Sequence, residues 1–230
     1  MTEPQHEGGI ARLRLLGDFD VVVDGQSRAR DFSYDKPKLL LAALALAQGR
    51  AMTRSELAEL LWPDDSGAAD GRARLRHALF ALRQVFAALP QALVIEPARL
   101  ALRVECFAVD VWDVLGFPAG RELDPATRLQ AYRGQLLETL NLPPGQGLAT
   151  WRQGWQARID IELAQCRAQV ADQFMRSGRG ELALEHAKRW VELWPDDEAG
   201  HRHLIRLLLA SGNRDAAVLA FEHCRDVLRD

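Results

Sequence analysis

The sequence has no hydrophobic run long enough to cross a membrane. Its longest apolar run, residues 39–47, falls well short of the roughly 18 residues that a transmembrane helix needs. Residues 1–9 are polar and acidic, and they lack the apolar stretch of a secretory signal peptide. We therefore expect a cytoplasmic protein with no membrane partner.

Cysteine is also scarce, and a phosphate-binding loop is lacking. The three cysteines, Cys106, Cys166 and Cys224, are far apart and have no paired or metal-ligand spacing, so we predict neither disulfides nor a zinc site. The Gly-Gln-Gly stretch at 145–147 has no Lys or Ser/Thr beside it, unlike a phosphate loop. These absences argue against an enzyme, and we expect no catalytic residue, no metal and no cofactor.

An excess of charge of one sign is missing as well. The 230 residues carry a net charge of -3, with 48% hydrophobic and 27% charged residues. This composition is typical of a globular protein with a substantial core, and the length suits two domains of roughly 100–150 residues each. The net charge does not reveal a small basic face on an otherwise acidic protein. The distribution of charge along the chain is therefore the better indicator of nucleic-acid binding.

The first half of the chain predicts a winged helix-turn-helix domain of the α+β class over residues 10–115. Residues 10–32 alternate apolar and polar side chains around an Asp24-Gly25 turn, which indicates a small antiparallel sheet. Thr53 and Glu56 form a capping box at the start of a helix. The remaining predicted elements are a helix begun by Pro37 and ended by Gly49, helices 54–61 and 70–89 separated by a polar loop at 64–69, and a hairpin of strands 93–95 and 100–104.

The second half predicts an all-α domain of TPR-like helical pairs over residues 125–230, joined to the first by a linker at 116–124. The predicted helices lie at about 125–140, 149–177, 180–194, 197–211 and 214–229, with a proline-glycine break at 143–145. The last four helices repeat with a period of about 34 residues, which is typical of TPR-like hairpins that bury their apolar faces by stacking.

Five segments match, in their order and spacing, a known family of regulators. They are LRLLG at 13–17, LW at 61–62, YRGQLL at 132–137, PDDEAGHR at 195–202 and LLLASGNR at 207–214. Through these segments nearly the whole chain resembles the antibiotic-regulatory-protein (SARP-like) type of transcription regulator. That family joins a response-regulator-type winged helix to a bacterial transcriptional activator domain, and the helical half carries the more specific motifs.

The resemblance implies a sequence-specific DNA-binding transcription regulator that acts as an activator. Its implied partner is double-stranded promoter DNA. RNA polymerase, a second copy of the chain and a downstream domain of the same chain are further partner candidates. Because the family continues past its last helix, the chain is expected to be either a short member or the N-terminal regulatory part of a longer protein.

The predicted third helix and hairpin carry a local basic face. Residues 70–104 contain six arginines and two acidic residues, Asp70 and Glu96. In a winged helix the third helix enters the major groove, and the hairpin contacts the neighbouring backbone or minor groove. The predicted DNA-binding residues are therefore Arg72, Arg74, Arg76, His77, Phe80 and Arg83 on the helix and Arg99 and Arg103 on the hairpin.

Two departures from the family leave a second function open. The family has a Gly-aromatic pair near the tip of its wing, where this chain has EPAR at 96–99. The family's recognition helix offers small hydroxyl residues, where this chain has Arg76, His77 and Phe80. The alternative function is a protein-interaction or signalling module of a multidomain protein, in which the winged helix no longer binds DNA and the arginines form a solvated face.

Four tryptophans are concentrated in the helical half: Trp151, Trp155, Trp190 and Trp194. Core packing is the common role of such residues. The alternative is an aromatic-lined groove for a peptide or ligand, because TPR-like stacks expose concave surfaces. Both roles stay open at the level of sequence.

Overall fold

The computed structural model describes residues 10–63, 68–119, 123–142 and 146–229. The chain forms two compact units: an N-terminal unit of residues 1–122 and 131–159, and a C-terminal unit of residues 123–130 and 160–230. Three predicted segments fall wholly or partly outside the described residues: 64–67 of the loop, 120–122 of the linker and the break at 143–145. No helix in the described part of the chain is long and apolar enough to cross a membrane.

Among its described residues the N-terminal unit holds two small sheets, four complete α-helices and the first part of α6 (Gln146–Arg176). In chain order these are β1 (Ala11–Arg14), β2 (Asp20–Val23), β3 (Gln26–Ser27), α1 (Asp35–Leu46), β4 (Met52–Thr53), α2 (Arg54–Leu61), α3 (Ala68–Val85), β5 (Leu93–Ile95), β6 (Arg99–Leu102), β7 (Phe107–Val109) and α4 (Asp110–Leu115). The helices that follow are α5 (Pro125–Ala131), α6 (Gln146–Arg176), α7 (Gly180–Leu193), α8 (Glu198–Ala210) and α9 (Arg214–Val227). Sheet, three helices and hairpin occur in the predicted order.

The first sheet has the strand order β3-β2-β1-β7. β1 and β2 are antiparallel, with Leu13 opposite Val21, and the predicted Asp24-Gly25 turn follows β2 with positive φ at both residues. β7 pairs with β1 in parallel, so that Leu13 is also opposite Val109. The sequence did not predict β7, because a three-residue strand that pairs across the whole domain leaves no periodic pattern.

α4 is attached to both the sheet and α1. The Asp110 carboxylate accepts the backbone N–H groups of Leu15, Leu16 and Val111 at 2.8–3.0 Å. The indole N–H of Trp112, which is fully buried, donates to the Ala45 carbonyl at 2.8 Å. Since residues 39–46 of α1 are all buried, this helix is the centre of the core on which the winged helix is built.

The second sheet is the predicted hairpin with one added strand. β5 and β6 pair antiparallel, with Val94 opposite Ala101, and β4 pairs with the other edge of β6. β4 has only two residues, so it too has no signature in sequence. The added strand ties the hairpin to the segment that leads into α2.

The helix expected at 125–140 ends at Ala131, and that prediction was wrong for the YRGQLL motif. Leu136 instead forms an antiparallel bridge with Leu16, and the Gly17 N–H donates to the Gln135 carbonyl at 2.9 Å. Leu136 and Leu137 are fully buried. Tertiary burial of this leucine pair overrides the helical propensity of the segment.

The C-terminal unit contains helical pairs, as predicted. Its core consists of small and aliphatic side chains from α6 to α9: Ala171, Ala183, Ala187, Val191, Leu204, Leu207, Leu208 and Ala217. The alanines allow the helices to approach closely. Asp197 and Asn213 cap α8 and α9 by accepting the N–H groups of Ala199 and Ala216. The α+β winged helix followed by a TPR-like all-α unit is therefore confirmed as the fold class.

The compact units divide within α6 rather than at the predicted linker, since residues 131–159 belong to the N-terminal unit. A division of the chain by spatial contacts need not coincide with the boundaries of a family domain. The predicted domain boundaries at 115 and 125 therefore stay a prediction. All three cysteines are buried and free.

Candidate nucleic-acid interface

Helix α2 is held at both ends by side chains. The Thr53 hydroxyl accepts the Glu56 N–H at 3.1 Å and the Glu56 carboxylate accepts the Thr53 N–H at 2.6 Å, which is the predicted capping box. The N–H and hydroxyl of Thr53 hold the pKa of Glu56 below its usual value. At the other end the Lys36 ammonium donates to the Leu61 carbonyl and lies 5.5 Å from the centre of the Trp62 ring. α2 is therefore a well-fixed support beside α3.

α3 has one buried face and one exposed cationic face. Its buried hydrophobic residues are Leu75, Ala78, Leu79, Leu82 and Val85. All six predicted contact residues on this helix are exposed. At about 100° per residue, Arg72, Arg76 and Arg83 fall within about 40° of arc, so they form one line along the helix, called here the α3 arginine stripe. Phe80, which is 61% exposed, borders this stripe about 40° further round.

Arg74 and His77 are exposed but lie outside the α3 arginine stripe. Around the helix, Arg74 is about 160° from Arg76 and His77 is about 100° from it. If the major groove of DNA were centred on Arg76, His77 would lie at the edge of the groove and Arg74 would lie outside it. The fold thus brings together four of the six predicted helix residues and separates Arg74 from them.

The wing, formed by β5, β6 and their turn at 96–98, is fastened to α2 by Arg54. The Arg54 side chain donates to the carbonyl oxygens of Pro97 at 2.8 Å and Glu96 at 3.1 Å, and its backbone N–H donates to the Ala98 carbonyl at 3.1 Å. The sequence did not predict a role for this residue. In the sequence, Arg54 is only a basic residue in the first turn of α2. Its contact with the wing depends on the three-dimensional structure.

The two predicted wing arginines differ in position. Arg99 is exposed beside the wing turn and pairs with Thr53 in the β4–β6 ladder. Arg103 is exposed too, but it follows β6, where its N–H donates to the Ala92 carbonyl at 3.0 Å. Arg103 therefore lies at the base of the wing and Arg99 near its tip.

Arg54, Arg72 and Arg76 line one cleft of about 470 Å³, with Leu75 as a fourth lining residue. None of the described residues that line this cleft is acidic. Guanidinium groups bind phosphate and carboxylate oxygens through charge-assisted and often paired hydrogen bonds. This corner, between the start of α2 and the α3 arginine stripe, is suited to an anionic group.

The four tryptophans of the helical half occupy two kinds of environment. Trp190 is 2% exposed, and its indole N–H donates to the Asp197 carboxylate at 2.9 Å. Trp194 is half-buried against the Arg167 guanidinium, which lies 3.8 Å from its ring centre. Trp151 and Trp155 are half-buried on the first half of α6, where they line an open cleft of about 480 Å³.

The second half of the chain matches a known family model. Residues 118–230 match the bacterial transcriptional activator domain. No protein in the comparison with curated sequences matches the chain. The family to which the matched domain belongs is one of transcription regulators, not of enzymes.

Among solved structures, the chain is similar to EmbR of Mycobacterium tuberculosis, determined in complex with a low-affinity phosphopeptide. The TM-score is 0.72 and the sequence identity 18%, over 95% of this chain and 59% of EmbR. The two proteins share a fold, and the chain spans less than two thirds of EmbR. The chain therefore carries a bacterial transcriptional activator domain after a winged helix, and both findings support the resemblance to SARP-like regulators that the sequence motifs indicate.

Proposed function

We propose that the protein is a cytoplasmic, sequence-specific DNA-binding regulator that activates transcription from the promoters it binds. The observation that carries the proposal is the α3 arginine stripe, which lies on the exposed side of the helix, about 100° round from the centre of its buried face. One buried and one cationic face is the arrangement that a recognition helix needs to enter a major groove. The negative total charge is consistent with this, because the basic residues are local to α3 and the wing.

The residues of this face have distinct proposed roles. Arg76, at the centre of the α3 arginine stripe, reads guanine through paired hydrogen bonds, worth about 1–3 kcal/mol of discrimination. Arg72 and Arg83, at the ends of the stripe, bind phosphates and fix the register. Phe80 contacts a thymine methyl group. On the wing, Arg99 binds the backbone beside the groove.

The test uses a duplex selected from random-sequence DNA by the wild-type protein. We expect the triple variant R72Q/R76Q/R83Q to bind this duplex at least about a hundredfold more weakly. The slope of log affinity against log salt should fall by about 0.9 for each phosphate that the variant no longer neutralises. The control is R176Q/R214Q/R225Q, which makes the same charge change at exposed arginines of the C-terminal unit. Equal binding by the two triple variants would exclude α3 as the recognition helix.

The helical unit is proposed to contact the transcription machinery, with RNA polymerase as its partner. The match of residues 118–230 to the activator-domain model supports this assignment. A two-hybrid or pull-down measurement with purified polymerase, comparing the full chain with a variant altered only in the C-terminal unit, tests it. Loss of polymerase binding with unchanged DNA affinity is the expected result.

A second candidate is an interaction module whose winged helix no longer binds DNA. Two observations favour it: an exposed Phe80 amid the arginines, and a wing tip that reads Glu96-Pro97-Ala98. Absence of DNA binding at low salt, together with tight retention of a protein partner, would establish this candidate in place of the first.

A further inference from the structure

A groove of about 400 Å³ runs between the second half of α6 and α8 in the C-terminal unit. Ala164, Ala168 and Ala199 line it, and their small side chains keep the two helices from filling the space. Trp190, almost fully buried, contributes to its lining. A volume of this size falls within the range of small-ligand and short-peptide sites.

Two arginines on α8, Arg202 and Arg206, line the same groove. They are four residues apart, so their positions on the helix differ by one turn, or about 6 Å along the axis. In an extended chain, alternate side chains on one face are about 7 Å apart. The two guanidinium groups therefore match two carboxylates at positions i and i+2 of an extended segment.

Both arginines form exposed ion pairs within the protein. Arg202 lies 3.7 Å from Glu198, and Arg206 lies 3.6 Å from Asp172; the arginine side chains are 71% and 63% exposed. Exposed pairs of this kind contribute little to stability and exchange readily with other anions. Glu198 and Asp172 occupy the places that carboxylates of a bound segment would take.

His203 gives an independent indication of an occupant. It lines the groove, is 4% exposed, and its Nδ1 lies 2.6 Å from the Arg206 guanidinium. Nδ1 therefore accepts a hydrogen bond, which puts the proton of the neutral ring on Nε2. Burial and the Arg206 charge lower the pKa of His203, so the ring is neutral. Nε2 is buried and has no hydrogen-bond partner in the part of the chain that the structure describes.

A buried N–H donor without an acceptor destabilises the protein, and an oxygen from a bound chain would remove that cost. We propose that the groove between α6 and α8 binds an extended acidic segment of a partner protein, of the pattern Glu-X-Glu or Asp-X-Asp. Arg202 and Arg206 bind its two carboxylates, and His203 donates Nε2–H to an oxygen of the segment once the side chains that cover this atom shift on binding. This proposal uses no residue of α3 or the wing and does not rest on the proposed DNA-binding function.

The experiment titrates the full chain, at low salt, with acetylated Ser-Glu-X-Glu-Ser peptides that cover every natural residue at X. We expect at least one peptide to bind saturably, with chemical-shift changes at the ring nitrogens of His203 and the indole N–H of Trp190. R202Q/R206Q should weaken binding at least about tenfold. D172N frees Arg206 of its present partner and should strengthen binding about two- to fivefold.

The matched control is R214Q/R225Q, which removes two exposed arginines from α9 and leaves the groove intact. It should change the affinity by less than about twofold, because distant exposed charges are largely screened. The proposal is overturned if no peptide binds, if R214Q/R225Q weakens binding as much as R202Q/R206Q, or if inorganic phosphate or citrate binds as tightly as the best peptide. The last result would identify a simple anion site.

Discussion

Gly134 lies where two segments of the N-terminal unit approach each other closely. A Cβ at this position would be 2.9 Å from the Cα atom of Gly17 and in contact with the Glu138 carboxylate. The Gly17 contact is with backbone, which cannot rotate away. We expect Gly134→Ala to lower the free energy of unfolding by about 1–3 kcal/mol, measured by urea denaturation.

Gly154 supplies a control for the same chemical change. It lies inside α6, and a Cβ there meets no atom within 4 Å. Since alanine is favoured over glycine in a helix interior by up to about 1 kcal/mol, Gly154→Ala should be neutral or stabilising. If both substitutions shift the urea midpoint alike, the backbone approach of Gly134 to Gly17 does not constrain the fold.

Asp110 makes the stability of the winged helix depend on pH. Burial raises the pKa of its carboxyl to about 6, against the opposing effect of the backbone N–H donors of Leu16, Leu15 and Val111. The folded protein therefore binds a proton that the unfolded chain releases near pH 4. The stability due to this group is fully present below about pH 4 and is lost as the pH rises through about 6.

The expected contribution of Asp110 is a fall in unfolding free energy of up to about 1.4 kcal/mol per pH unit between about pH 4 and 6. Asp110→Asn cannot titrate, so this fall should disappear from its profile. Urea unfolding of both proteins across that range measures the difference. Parallel profiles for wild type and variant would show that the carboxyl does not titrate in this window.

Among the elements, those with a long local pattern could be predicted from sequence. The apolar spacing of α3 and the paired helices of the C-terminal unit follow a 3.6-residue period over several turns. For the same reason the exposure of the arginines at 72, 76 and 83 followed from the burial of Leu75, Leu79 and Leu82. The convergence of Arg72 and Arg76 with Arg54 on one cleft did not, because it depends on how α2 packs against α3.

The elements that sequence missed are defined by distant partners. β4 and β7 have two and three residues, and each exists only because a strand far along the chain pairs with it. Residues 135–137 are not helical because Leu15 and Gly17, which follow β1, form backbone hydrogen bonds with them and the Gln156 side chain accepts the Leu136 N–H at 2.7 Å. Such long-range hydrogen bonds leave no periodic signal in the segment itself.

The wing is the element whose position depends most on one side chain. Arg54→Met keeps the aliphatic stem but removes both donors to the wing turn. We expect the Glu96 amide, which bonds to the Arg99 carbonyl at 2.9 Å, to exchange with solvent faster because the turn opens more often. Affinity for the selected duplex should fall about fivefold or more, given that hydrogen bonds of charged donors are worth about 1.5–3 kcal/mol.

Arg50→Met is the control for the wing. Arg50 is also exposed and close to the start of α2, but its side chain is directed to the Glu56 carboxylate, at 3.4 Å, and not to the wing turn. Hydrogen exchange at the wing should be the same in R50M and wild type. Faster exchange of Glu96 in both variants would mean that charge near α2, and not the Arg54 tether, stabilises the wing.

At the scale of the whole molecule, a net charge of -3 has a definite consequence for DNA binding. Non-specific attraction to DNA depends on the summed charge near the phosphates, and the acidic remainder of the protein opposes it. When non-specific binding is weak, the few residues that contact base edges account for more of the total binding energy. A regulator of this charge therefore has higher specificity, but each winged helix alone binds DNA with lower affinity.

That balance leads to a prediction about the number of copies on DNA. One winged helix buries only about 600–1,000 Å², and the α3 arginine stripe offers three arginines to the groove. We expect useful affinity to require two copies on repeated half-sites, bound on the same side of the duplex. A duplex with two selected half-sites about 10.5 base pairs apart should bind at least about tenfold more tightly than a duplex with one. Moving one half-site by about five base pairs puts it on the opposite side, so the gain should vanish. If a single half-site binds as tightly as the pair, each chain acts alone on DNA.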